Sequence, residues 1–394
     1  MQRDARVKRE AQALLGAGYG VSVISPRGDT AVPAELRGVD IHQYRPPSHR
    51  EGKLGFIYEF LYSWVVAMVL ALRALAREGF DVVQACNPPD TYFALALPFK
   101  LLGKPFVFDH HDLCPEHYRV QFGEHGLLLR GLLALEWATF RTADHVIATN
   151  EYFRQIAMAR GGRAAKSVTV VRNGPELDRV HSRDIRPTLR QGRRYLACWV
   201  GVMRGFDDGV ELALDAVSHL VTGLGRDDCH FVFIGDGERF DEVVRLARKL
   251  GIEDYVTFPG WLPHDTLFDY LATADVGLQP IPKNERTDVS TAIKTMEYMA
   301  FGLPVVAFDL LETRSSAGDA AAYAAPNDVL AYAELVAELL DDPERRAAMG
   351  ELGRRRVEQE LAWDHQRAKY VGVFDDLLEQ RGQRLGARRG RSPR

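Results

Sequence analysis

The stretch Asp288-Val-Ser-Thr-Ala-Ile-Lys-Thr-Met-Glu-Tyr-Met-Ala-Phe-Gly-Leu-Pro-Val-Val-Ala-Phe-Asp309 decides the reading of this chain. Ser290 and Thr291 suit an N-cap, so a helix is expected to open near Ala292 and to turn its free N–H groups and positive dipole end toward the preceding loop. Such a start cradles an anion. Ile293, Met296 and Ala300 recur at helical spacing and face a core, which leaves Lys294 and Glu297, three apart, on a neighbouring face. Gly302-Leu303-Pro304 stops the helix. Val305–Phe308, apolar throughout, then reads as a parallel strand buried on both faces. A lone Lys-x-x-Glu reads better as a solvated surface pair; the attached Gly-x-Pro-Val-Val strand is what points to a site.

The same alternation extends through the chain. From residue 4 to about 150, helical patterns alternate with β-rich runs at 20–25, 40–44, 81–85, 105–109 and 145–149. A second series follows at 195–201, 230–235, 255–259, 276–280 and 304–308. Alternation of this kind implies parallel sheets with helices on both sides, hence an α/β chain of two doubly wound domains. Turn residues and charges from Asn173-Gly174-Pro175 to Gly192 mark the boundary, and a last helix runs from beyond Trp363 to about Gln380. The sequence opens inside a helical pattern, Asp4 to Leu15. The strand that a doubly wound domain places near its sheet centre is therefore missing, and two strands are expected to lack a ladder partner. A start site placed too far downstream is the preferred explanation, a real truncation the other.

Bulk properties narrow the class. At 394 residues, 46% hydrophobic and 26% charged, the chain has enough apolar material for two cores. A formal charge of −4 gives no nucleic-acid footprint. The basic end from Arg381, six arginines without an acid, reads as a disordered solvated tail, with anionic lipid as its other use. Cys86, Cys114, Cys198 and Cys229 lack metal-ligand spacing and read as reduced thiols, which fits a cytoplasmic setting. No signal peptide opens the sequence. The apolar stretch Phe56–Leu75 is broken by Glu59, Ser63 and Arg73, so it reads as a buried or interfacial helix. Its aromatic end, Phe56, Tyr58, Phe60, Tyr62 and Trp64, suits packing within the domain, and peripheral contact with a membrane or lipid acceptor is the alternative.

The run Lys294-x-x-Glu297-Tyr-Met-Ala-x-Gly-x-Pro-Val-Val resembles the nucleotide-sugar motif of glycosyltransferase family 4, the group 1 glycosyl transferases. The resemblance implies the GT-B fold: two Rossmann-like doubly wound domains facing a central cleft, with the C-terminal helix crossing back to the first. On that template residues 1–175 form the acceptor-side domain and 176–192 a linker. Residues 193–364 form the nucleotide-sugar domain, 365–382 the crossover helix and 383–394 the basic tail. The resemblance also implies a retaining, metal-independent hexosyl transfer from a UDP- or GDP-linked sugar to a saccharide, lipid-linked or small-molecule acceptor, of the kind used in cell-envelope or exopolysaccharide synthesis. No cofactor other than the donor is expected. Glu297 is then expected at the donor ribose, and Lys294 with the helix start at Ser290 and Thr291 at the diphosphate.

The sequence also departs from the family. Aligning Trp199-Val-Gly-Val-Met-Arg-Gly-Phe-Asp-Asp-Gly209 puts Val202 where the family has an arginine and Asp208 where it has a lysine. The first glutamate of the family's pair is Val289 here. A diphosphate leaving group still needs compensating charge, so Lys294 comes first and Arg204 second, with Gly201 shaping the turn. Gly235 ends a strand where a helix begins, a weak signal alone. Trp261 lies where the family encloses the base, and a core tryptophan reads as well.

In the first domain Phe106-Val-Phe-Asp-His-His-Asp112 ends a strand at its carboxyl edge, where ligands bind in open α/β sheets. His111 and Asp112 resemble the family's active-site pair, with Glu116 as an acceptor contact and Asn87 and Asp90 lining the same region. Three other readings compete: a metal site from Asp109, His110, His111 and Asp112; a capping Asp112 beside a packed His111; and a plain turn at Asn87–Asp90. Two rival functions remain open, a nucleotide-sugar-binding protein without turnover and a sugar-nucleotide epimerase on the same fold.

Overall fold

The computed structural model describes residues 5–28, 36–47, 52–123, 126–180 and 184–389. The chain divides into two compact units. One takes the residues up to Arg119, Gly123–Val171 and those from Gln366 onward; the other takes Val120–Phe122 and Arg172–His365.

In the first unit β1 (Val21–Pro26) pairs in parallel with β2 (Val39–Tyr44). Separately, β3 (Val83–Cys86), β4 (Phe106–His110), β5 (His145–Ala148) and β6 (Val168–Val170) form a parallel sheet in that order. Among the described residues β1 and β3 each carry a single ladder. Side chains link what backbone ladders do not. Ile24 of β1 and Val83 of β3 share one apolar cluster with Ala71, Leu95 and Phe99. A polar knot adds Arg6 and Glu10 of the first helix, Ala5–Gly16, to Gln84 of β3 and Asp109 of β4. The final helix, Trp363–Arg389, belongs to this unit from Gln366 onward, as the expected crossing-back requires. Tyr370 Oη donates to Gln84 Oε1 at 2.6 Å, and Arg381 pairs with Asp81 at 2.6 Å.

Two sequence expectations need correction here. The chain passes between units at Val171–Arg172, and residues 176–192 are not a free linker: Leu177, Val180 and Leu189 pack on the second unit's core. The tail expected to be disordered from 383 continues as helix to Arg389, because Leu385, Ala387 and the arginines are good helix formers and the next proline is Pro393. Residues 390–394 lie outside the described residues.

The second unit holds one six-stranded parallel sheet. Its strands are β7 (Tyr195–Val200), β8 (Cys229–Ile234), β9 (Val256–Gly260), β10 (Val276–Gln279), β11 (Val305–Phe308) and β12 (Ala321–Ala324), in the order β12-β11-β10-β7-β8-β9. The order reverses between β7 and β10, which places the ligand crevice of such a sheet at their carboxyl ends. Two buried tyrosines stitch this region. Tyr298 Oη accepts from the Val200 N–H at 2.9 Å and donates to the Leu278 carbonyl at 3.3 Å, bridging β7 and β10. Tyr332 Oη does the same for β10 and β11, accepting from Gln279 N at 3.0 Å and donating to Val306 O at 2.9 Å. Gly277 is obligatory beneath the first of them, since a Cβ there would lie 2.5 Å from the Tyr298 ring. The short strands β6 and β12 escaped the sequence reading: one has three residues, the other is alanine-rich and carries little β-propensity.

The helix Gly52–Arg77 packs Trp64, Ala67 and Met68 inward. Its outer face exposes Leu61, Val65, Val69 and Leu72. Tyr62 packs near Tyr44 at 6.5 Å, while the side chains of Phe56 and Phe60 lie outside the described residues. Among the described residues no helix is long and apolar enough to cross a membrane.

Candidate functional site

In the second unit the helix Ile293–Ala300 follows the loop after β10, as the motif predicted. Its cap differs from expectation. Ala292 takes the N-cap position and no side chain caps the helix. Ser290 Oγ donates instead to the Arg286 carbonyl at 2.6 Å, and Thr291 Oγ1 to Glu312 at 3.0 Å, because the preceding turn holds both residues one step too early. The first N–H groups of the helix are therefore left for another acceptor.

Lys294 projects from the first turn toward β7. Its Nζ is buried without a hydrogen-bond partner and sits 4.3 Å from the ring centroid of Trp199, itself fully buried. Burial pushes its pKa down to about 8, opposed by the carboxylates of Asp208 and Glu297. Gly201 makes room for it, since a Cβ there would lie 3.0 Å from Nζ and 2.6 Å from the Trp199 ring. Gly235 in turn lets its loop approach Gly201: φ is 144°, and a Cβ would fall 1.8 Å from the Gly201 carbonyl. Both glycines thus build the floor under Lys294.

Two other cations of this region are committed to carboxylates. Arg286 pairs with Asp207, and Lys283 lies 3.3 Å from Asp288. Arg204 is exposed, and its backbone N–H donates to Asp208 at 3.3 Å, so Asp208 shapes the turn where the family has a lysine. Asp288, next to Val289, accepts from the N–H of Leu311, the first residue of the later helix Leu311–Ala317, at 2.9 Å. Glu297 is half-buried. Trp261 is 69% exposed, which removes the core-tryptophan reading and leaves its ring face open to a planar ligand.

In the first unit the strand-end loop carries His111, whose ring is 17% exposed. Asn87 holds the backbone around it. Its Oδ1 accepts from the N–H groups of His111 at 2.7 Å and Asp112 at 3.1 Å, while its Nδ2 donates to Asp90 at 2.9 Å and to the Asp112 carbonyl at 2.7 Å. Every hydrogen-bonding position of that amide is used, so Asn87 shapes the loop instead of meeting an acceptor. Asp90 is buried with it, and burial pushes its pKa up to about 6. Glu116 also turns inward, paired with Arg160, which bridges it to the buried Glu136. In this structure the three residues support the loop around His111. Asp112 is exposed and does not cap the next helix, whose N-cap position is Leu113.

The competing metal set is not assembled. His110 turns away from its neighbour into a cage of Phe108, Phe140 and Phe153, where burial drives its pKa down to about 3. Among the described residues Cys86, Asp109 and His111 do bring possible ligand atoms within 4.8 Å of one another. The Arg6 guanidinium, bonded to both oxygens of Asp109 at 2.9 and 3.2 Å, opposes a dication there. Arg6 is the residue of this region that sequence reasoning missed, and Asp109 was read only as part of a metal set. Asp109 is a buried charge inside an otherwise apolar strand, and that was the available signal.

Comparison with known proteins agrees with this architecture. Residues 5–179 match the model described as Glycosyltransferase Family 4, and residues 194–342 match Glycosyl transferases group 1. The chain is 26% identical over 327 residues to the 2-deoxystreptamine glucosyltransferase of Streptomyces kanamyceticus, covering 80% of this chain and 83% of that protein. It is 34% identical over 149 residues to a GDP-mannose-dependent phosphatidylinositol monomannoside mannosyltransferase of Corynebacterium glutamicum, but that match spans only 35% of this chain and 37% of the relative. Among solved structures, sucrose-phosphate synthase from Thermosynechococcus elongatus superposes with a TM-score of 0.74 at 19% identity, covering 95% and 93% of the two chains. WaaG, a glycosyltransferase involved in lipopolysaccharide biosynthesis, gives 0.70 at 19% identity, covering 93% and 94%. The chain therefore belongs to the family 4, group 1 glycosyltransferases, hexosyltransferase-type enzymes of the GT-B fold.

Proposed function

We propose that this enzyme moves a hexosyl group from a UDP- or GDP-linked sugar to a saccharide, lipid-linked or small-molecule acceptor, with retention of configuration and without a metal ion, in cell-envelope or exopolysaccharide glycan synthesis. The observation that carries the reading is the unpartnered, buried Nζ of Lys294 beside an uncapped helix start. A buried ammonium without an acceptor is costly, and a diphosphate supplies the missing charge. Glu297 then holds the ribose, Trp261 the base, and Arg204 reaches the outer phosphate. His111 meets the sugar or acceptor hydroxyls. Two relatives named as GDP-mannose-dependent transferases support the donor class. The acceptor-side unit works at the inner face of the membrane, touching it through the uncharged helix face of Leu61, Val65, Val69 and Leu72.

Isothermal titration with UDP and GDP tests the donor site. Binding of one nucleotide by the parent is expected, with a loss of about tenfold or more in Lys294→Ala and Glu297→Ala, in line with the loss of a charge-assisted contact. Equal affinity in parent and variants sinks the assignment. A second reading, a donor-binding protein without turnover, draws on Val202, Asp208 and Val289 at positions where the family carries charges. Consumption of bound donor separates the two.

A further inference from the structure

The polar knot of the first unit has a direction. Asp109 lies at the end of β4 with no exposed surface, and four groups converge on its two oxygens. Arg6 contributes Nη2 at 2.9 Å and Nε at 3.2 Å, Gln84 contributes Nε2 at 3.5 Å, and His111 Nε2 lies 2.5 Å away. Cys86 Sγ sits at 3.7 Å. Arg6 is fastened in turn by the Val171 carbonyl at 3.0 Å and by Glu10 at 2.8 Å. Burial opposes a charge on Asp109, yet Arg6 and His111 hold its carboxyl well below the usual range. Burial and the neighbouring carboxylate push the Glu10 carboxyl up.

A carboxylate accepts and cannot donate, so the hydrogen between His111 Nε2 and Asp109 belongs to the imidazole. In the neutral ring Nδ1 is then the acceptor nitrogen, and among the described residues no hydrogen bond engages it. The Asn87 clamp fixes the backbone of the same residue, so both the position and the tautomer of His111 are determined from outside it.

We propose that Asp109, anchored by Arg6, is a positioning residue that locks His111 as the Nε2–H tautomer and presents Nδ1 as a hydrogen-bond acceptor for a hydroxyl of the sugar or the acceptor. The inference rests on the glycosyltransferase reading only for what meets Nδ1. Its chemical class is a hydroxyl donor, in contrast to the phosphate oxygens that Lys294 suits.

The test uses the full chain labelled with nitrogen-15 histidine, the His111 signals being assigned by their absence in His111→Gln. Long-range nitrogen–proton spectra are expected to show one neutral tautomer with Nε2 protonated. In Asp109→Asn the tautomers are expected to mix, and slow hydrolysis of UDP-glucose or GDP-mannose, water standing in for the acceptor, is expected to fall about 100-fold in kcat with donor KM moving less than about twofold. A ring that is Nδ1-protonated or averaging in the parent overturns the proposal, whether or not Asp109→Asn folds. So does an Asp109→Asn protein that folds and keeps both tautomer and turnover. Failure of the parent to bind or consume either donor counts against the glycosyltransferase reading alone, because the parent spectrum decides the Asp109–His111 arrangement by itself.

Discussion

The two units solve the same architectural problem differently. In the second, one continuous ladder of six strands carries the sheet, and buried tyrosine hydroxyls only reinforce its centre. In the first, β1 and β3 belong to separate sheets, and side chains take over: an apolar cluster shared by Ile24 and Val83, and the ionic knot around Asp109. Backbone ladders are cooperative and indifferent to a single side chain, whereas a buried ion pair fails when either partner is removed. The functional groups show the inverse pattern. His111, in the unit with the split sheet, is clamped through backbone and ring, while Lys294, on the continuous sheet, is left without a partner. Rigidity is spent on the histidine, and unsatisfied charge is kept for a ligand.

Arg6→Ala gives the largest effect. It leaves Asp109 charged, buried and uncompensated, so the first unit is expected to lose about 3–5 kcal/mol. The second unit, which contains neither residue, is expected to hold. Urea unfolding followed by hydrogen exchange in each unit checks this, and loss of protection in both units together would mean that the contrast between them is wrong. The matched change in the second unit is Lys294→Met, which removes a buried ammonium that has no counter-charge bonded to it. That variant is expected to be neutral or more stable, while nucleotide binding is lost.

The pH dependence sharpens the same contrast. His110 and Lys294 are bases whose folded pKa values burial lowers, to about 3 and about 8. In each case the unfolded state binds the proton more tightly, so stability rises with pH between the folded and unfolded values. For His110 the window runs from about 3 up to the ordinary 6.5, and the first unit loses stability as pH falls below 6.5. For Lys294 it runs from about 8 to 10.5, over which the second unit gains up to roughly 3 kcal/mol. Melting curves of each unit between pH 7 and 10 are expected to diverge, with Lys294→Met flattening the response of the second. A saturating nucleotide diphosphate is expected to flatten it as well, by holding Lys294 charged.

What could be read in the sequence follows from these differences. Apolar runs such as Val305–Phe308 and Phe231–Ile234 announce buried parallel strands at every position, and Lys294 and Glu297 stand out because helical periodicity excludes them from the core. The two-domain order was legible for the same reason. Partners far apart in the chain were not legible. Nothing local joins Arg6 to Asp109, Gln84 to Tyr370 or Asn87 to His111, and Glu116 looks like a site acid until Arg160 is seen beside it. Ser290 and Thr291 misled in the opposite way. Both suit a cap, but the turn that precedes the helix uses their hydroxyls first.

The smallest expected effect comes from removing an aromatic ring that packs on little. Trp261 in the second unit and Trp137 in the first are 69% and 53% exposed, so truncating either is expected to change stability by less than about 0.5 kcal/mol. Their consequences for ligand binding should differ. If the base stacks on Trp261, Trp261→Ala is expected to weaken UDP or GDP binding by about 1 kcal/mol, roughly fivefold, while Trp137→Ala leaves it unchanged. Equal losses in both variants would point to a general disturbance and not to a contact, and no loss in either would return Trp261 to the solvent. A selective loss at Trp261 means that the second unit holds both ends of the nucleotide by itself, with Lys294 at the phosphates and an exposed ring at the base. The first unit would then be left to recognise only hydroxyl groups, the chemistry for which a clamped imidazole is suited.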